Sequence, residues 1–139
     1  MGLFDKLVGK KETVLTPKAA LALACMTMVA ADGGVDEEEM ATLKRIVKDD
    51  QQAFHTAIKV YKDLSTQECV DLVVASLNPK QRVAVLVNLL DIAMADGVFA
   101  GPEEKLLVAY LEALQIGEQV VKDLVEMIAL KNDHSIFEE

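Results

Sequence analysis

Apolar residues recur along this chain at helical spacing, and polar cap signals divide them into segments. Thr16-Pro17, an N-cap followed by proline, opens the first secure helix, which the pattern carries to Ala31. Its small and soft residues (Ala19, Ala20, Ala22, Ala24, Ala30, Met26, Met28) predict close approach by neighbours on most sides. Asp36, with Glu39 three residues on, predicts a capping box for a second helix with Leu43, Ile46 and Val47 as its core stripe. The pattern breaks at Asp49-Asp50, and Phe54, Ile58 and Tyr61 mark a third helix ending near Leu64. Ser65 to Glu68 is a second capping box, opening a fourth helix, and Asn78-Pro79 opens a fifth that runs to Ala95. Gly101-Pro102 opens a sixth, read as ending at Gly117, and Val120, Val121, Leu124, Val125 and Ile128 define a seventh. The residues from Lys131 read as a loose acidic tail.

No alternating strand pattern interrupts this series. The expected fold is all-α, about seven helices in a bundle. Its organisation is residues 1–15 as an amphipathic and basic segment, 16–130 as a single helical domain, and 131–139 as the tail. Within it the sequence repeats itself. Ala31-Asp32-Gly33 returns as Ala95-Asp96-Gly97 at an offset of 64 residues (96 − 32 = 64), and the same offset aligns Val35 with Phe99, Glu39 with Glu103 and Leu43 with Leu107. Two helical hairpins related by a pseudo-two-fold are the natural architecture for such a duplication.

The duplicated motif also carries the candidate chemistry. Gly33 and Gly97 suffice to end their helices, so the turn does not require Asp32 or Asp96. A carboxylate at the carbonyl end of a helix is unfavourable by roughly 0.3 to 1 kcal/mol. Asp91, in the most apolar helix, needs a partner for the same class of reason. Neither Asp91, Asp96 and Glu103 nor the acids from Asp32 to Glu39 have Lys or Arg three or four residues away. Asp32, Asp36, Glu39, Asp91, Asp96 and Glu103 are therefore the candidate cation ligands. Oxygen donors without His or Cys favour a hard divalent cation, calcium or magnesium. The loop is not an EF-hand, because Gly34 and Leu43 hold its third and twelfth positions.

Composition narrows the function classes. Net charge is −9, from 14 basic and 23 acidic residues, which argues against nucleic acid and for cations or basic protein surfaces. The aromatic content of 4% requires an aliphatic, Met-rich core. Cys25 and Cys69 lie in apolar patterns without CxxC spacing, and read as buried free thiols. The apolar runs are too short to span a bilayer and residues 1–11 lack a secretory signal pattern, so a cytoplasmic location is expected. Leu3, Phe4 and Leu7 with Lys6, Lys10 and Lys11 allow two fates for the leading segment: docking on the domain, or weak contact with an anionic membrane surface. No Ser sits in a nucleophile elbow, and no Glu-x-x-His pair exists. A binding protein is the leading expectation, and a carboxylate-based metal-dependent enzyme using the same acids is the alternative.

The paired Ala-Asp-Gly motifs, each followed by Glu seven residues after its Asp, resemble the tellurite-resistance protein TerB and the wider TerB-like domains. Leu3-Phe4-Asp5-Lys6 is similar to the opening of TerB proteins. The resemblance implies an all-α seven-helix domain, non-enzymatic, acting with membrane and cytoplasmic partners in tellurite and stress resistance. It implies Asp32, Glu39, Asp96 and Glu103 as conserved acidic residues of a cation-binding or interaction surface. Ala100 and Gly101-Pro102 stand where the first copy has Asp36 and Glu37-Glu38, so the second site has fewer oxygens.

Overall fold

The computed structural model describes residues 15–95 and 101–138, without the side chain of Asp32. These residues form α1 (Pro17–Val29), α2 (Glu37–Ile46), α3 (Gln51–Asp63), α4 (Thr66–Ala75), α5 (Pro79–Met94), α6 (Pro102–Leu114) and α7 (Glu118–Asn132), with short 3-10 turns at Ala30–Asp32 and His134–Phe137. Among the described residues there is no strand.

The helix starts follow the polar signals. Thr16 accepts the Ala19 amide at 3.1 Å, and Pro17 stands in the first turn, where its missing N–H costs nothing. Reciprocal capping boxes open α2 (Asp36 with Glu39), α4 (Ser65 with Glu68) and α5 (Asn78 with Gln81). The end of α6 departs from the expectation: Gln115 takes the left-handed position, and Gly117 instead caps the start of α7. Helix α7 also continues to Asn132, so the tail from Lys131 begins as ordered helix.

Helix α1 is the axis of the bundle. Residues Ala22 to Val29 are all buried, and α1 packs on α3, α4 and α5 while touching α2 and α6. Four alanines let those neighbours approach closely enough to surround it. The Leu15 amide donates to Ser76 Oγ at 2.9 Å, which fixes the entry of the chain at the end of α4. Helix α7 closes the bundle against α5 with Val121, Leu124, Val125 and Ile128. No helix of the described residues is long and apolar enough to cross a membrane.

Candidate functional site

The first acidic loop is built by two opposed helix ends. Helix α1 runs into the 3-10 turn whose last residue is Asp32, and Gly33, at φ +130°, turns the chain in a conformation that side chains rarely adopt. The extended stretch that follows delivers Asp36 to the N-cap of α2. There Asp36 Oδ1 accepts the Glu39 amide at 2.8 Å, and Glu39 Oε1 accepts the Asp36 amide at 3.0 Å. One oxygen of each carboxylate is thereby committed to the cap. The positive end of the α2 dipole also favours the neighbouring Glu37 and Glu38.

Tertiary packing adds residues that lie far off in sequence. A cleft of about 470 Å³ opens between α2 and the end of α5, and Glu38, Glu39 and Arg45 face Asn88, Asp91 and Ala95 across it. Asp91 is half-exposed and ion-paired with Lys131 of α7 at 2.9 Å. Its partner comes from another helix, which local spacing along α5 could not reveal. Arg45, exposed on α2, donates to Thr42 Oγ1 at 3.1 Å. The cleft thus carries three carboxylates on its walls, with two cations bordering them.

A second cleft, about 390 Å³, lies between the end of α1 and the start of α6, and includes Thr27, Ala31, Thr66, Pro102, Lys105 and Ala109. Positions lining the two clefts correspond at the 64-residue offset: Glu38 with Pro102, Ala41 with Lys105, Arg45 with Ala109, Asp91 with Thr27, and Ala95 with Ala31. Positions related by the offset therefore carry different chemistry. Where the first cleft has Asp91, the second has a buried Thr27, hydrogen-bonded to Tyr110 at 2.6 Å. Where the first has Ala41, the second has Lys105.

Of the six acids singled out by sequence, Glu39 and Asp91 meet at the first cleft, with Asp36 joined to Glu39 through the cap. Glu103 is half-buried in the first turn of α6. Asp32 is placed by its backbone alone, and Asp96 lies outside the described residues. Sequence reasoning missed Arg45 and Lys131, which border the acids. Arg45, at heptad spacing from Glu38 on α2, was within reach of a pattern argument. For Lys131 the sequence holds no such signal.

No curated protein and no solved structure matches the chain. The family model described as Tellurite resistance protein TerB matches residues 18–125, which takes in α1 from its second residue, α2 through α6, about half of α7 and both acidic motifs. With an all-helical fold over the described residues of that span, the chain belongs to the TerB family.

Proposed function

We propose that this chain is a non-enzymatic accessory or scaffold module of the TerB family, working in the cytoplasm in tellurite or stress resistance, whose acidic cleft takes up a cationic group. That group is a divalent cation, calcium or magnesium, or the basic surface of a partner protein. The observation that carries the reading is the meeting of Glu38 and Glu39 of α2 with Asp91 of α5 across one open cleft. The overall charge of −9 draws cationic partners to the same surface and opposes nucleic acid.

The state of the acids suits binding rather than proton transfer. Glu39 accepts the Asp36 amide in its cap and Asp91 is ion-paired with Lys131, so both carboxylates are engaged as charges and hydrogen-bond acceptors. Among the described residues no three His, Cys, Asp or Glu side chains converge as a metal shell; the side chains of Asp32 and Asp96 lie outside them. A spread of carboxylates along a cleft wall fits a broad basic surface, and an ion bound there has an affinity on the order of 10⁻⁴ M, like loose calcium sites.

Calorimetric titration with calcium, magnesium and an oligo-arginine peptide tests this reading. Binding by the intact chain should weaken in Glu39→Gln with Asp91→Asn, a pair that keeps side-chain shape and the capping acceptor. Combining Asp32→Asn with Asp96→Asn should abolish any cation-dependent rise in the thermal midpoint. Absence of binding to all three probes would remove the cationic ligand and leave the acids as helix caps.

A further inference from the structure

Helix α7 packs one side on the bundle, with Val121, Leu124, Val125 and Ile128 turned inward. Its other side is apolar too. Val120, Met127 and Leu130 are 43%, 65% and 59% exposed, and in the turn that follows the helix Ile136 and Phe137 are 46% and 77% exposed. Five of the six exposed large apolar side chains among the described residues therefore fall between Val120 and Phe137, and such a concentration on a folded domain marks a contact surface. At 3.6 residues per turn Val120 and Leu130 lie about 20° and 60° to opposite sides of Met127. Met127 is the middle of the stripe.

The charges on the stripe are arranged about the same residue. Asp123 stands four residues before Met127 and Lys131 four after (127 − 123 = 131 − 127 = 4), about 40° to opposite sides of it, and both are exposed. Gln119 Nε2 donates to Asp123 Oδ1 at 2.9 Å, which holds that carboxylate along the helix. Lys131 is 60% exposed while paired with Asp91, and its ammonium has hydrogens for a second acceptor. Glu126 lies about 100° from Met127, and Lys122 and Glu118 lie farther round still. One acid and one base on the stripe give it no net sign.

We propose that this face of α7 is an isologous interface between two copies of the chain, their α7 helices running antiparallel about a two-fold axis at Met127. Residues equally far from such an axis along the helix come to the same level in the pair. Met127 then meets its own copy, and each Asp123 comes level with the partner's Lys131, so the charges beside the apolar residues attract twice over. Parallel helices would instead bring like charges together at both levels. An anionic membrane is the weaker occupant, since it repels a chain of net charge −9. The seam is one helix of 15 residues per copy. At about 22 Å long it belongs with the interfaces under about 1,200 Å², which associate weakly and reversibly. The inference does not rest on the acidic cleft as a binding site.

Sedimentation of the full-length chain, with cross-linking by copper–phenanthroline, tests it. Mass should rise from one chain toward two between roughly 1 μM and 1 mM, the range of small interfaces. Met127→Glu, at an exposed position, should keep the thermal midpoint of the dilute chain and abolish the rise. Cys25 and Cys69 are buried, so a cysteine introduced on the stripe reacts alone. Met127→Cys should cross-link to a dimer, whereas Val120→Cys, whose two copies lie about 21 Å apart along the pair, should not. Asp123→Lys and Lys131→Asp should each weaken self-association, and mixing the two variants should restore it as a heterodimer. A single-chain mass at every concentration with no Met127→Cys cross-link would overturn the interface. A dimer that survives Met127→Glu would place the contact elsewhere, and Val120→Cys cross-linking as readily as Met127→Cys would refute the antiparallel register. Failure of the mixed charge variants to associate would refute the pairing of Asp123 with Lys131.

Discussion

Thr27 and Tyr110 share a hydrogen bond of 2.6 Å in the buried interior, joining the last turn of α1 to α6. The Thr27 hydroxyl donates to the Ala24 carbonyl at 2.6 Å, so Tyr110 is the donor to Thr27 Oγ1. A residue that interrupts the apolar run of α1 thus accepts from a wholly buried phenol. Removing the acceptor should cost more than removing the donor. Thr27→Val leaves the Tyr110 hydroxyl unpaired, at about 1–3 kcal/mol, whereas Tyr110→Phe loses one bond, at about 1 kcal/mol. Denaturant unfolding of both variants and the double variant checks this, since the double loss should fall below the sum of the two.

The thiols make stability fall at alkaline pH. Burial pushes Cys25 up to about 12, and burial with the nearby Glu68 carboxylate pushes Cys69 up to about 11, from an ordinary 9.0. Below pH 9 both folded and unfolded chains keep these protons, and the contribution is complete. Above it the unfolded chain releases protons that the folded chain retains, so stability drops by about 1.4 kcal/mol per pH unit for each thiol. The loss extends to about pH 11 for Cys69 and pH 12 for Cys25. Tyr110, also raised by burial, acts in the same direction. Stability curves from pH 8 to 11 should steepen above pH 9, and Cys25→Ala with Cys69→Ala should flatten them whatever its cost at neutral pH.

Gly101 precedes α6 at φ +67° and ψ −132°, a region that side chains rarely enter. Space is not the obstacle, since a Cβ there would meet nothing within 4 Å. Gly101→Ala should therefore destabilise through backbone strain alone, by about 1–3 kcal/mol. A thermal midpoint equal to that of the parent would show that the loop relaxes around the new side chain.

Lys131 and Asp91 are both substantially exposed, at 60% and 49%. Such a pair contributes at most about 1 kcal/mol, so Lys131→Ala should barely move the unfolding midpoint. Its effect should appear at the cleft, where an Asp91 freed of its competitor binds cations more tightly. Parallel melting and calcium titration separate the two outcomes, and unchanged affinity would place Asp91 outside the binding surface.

The sequence by itself determined the helices, because their starts are written in adjacent residues. Thr16-Pro17, Asp36 with Glu39, Ser65 with Glu68 and Asn78-Pro79 satisfy amides three positions away, and that chemistry needs no tertiary context. It determined the family through the paired Ala-Asp-Gly motifs, and the all-α class through uninterrupted helical periodicity. Only the tertiary structure decided which acids share a cleft and what neutralises them. Glu39 meets Asp91, and Asp91 meets Lys131, through the crossing of α2, α5 and α7, and crossing geometry depends on which side chains interlock rather than on spacing along one helix. The tertiary structure likewise decided that Gln115 rather than Gly117 ends α6, because the left-handed residue must fall where the chain has to turn for α7 to reach α5. The exposure of Val120, Met127 and Leu130 on α7 has the same origin: the apolar residues of α7 are plain in the sequence, but which of them face the bundle is fixed by the one side of α7 that α5 can cover.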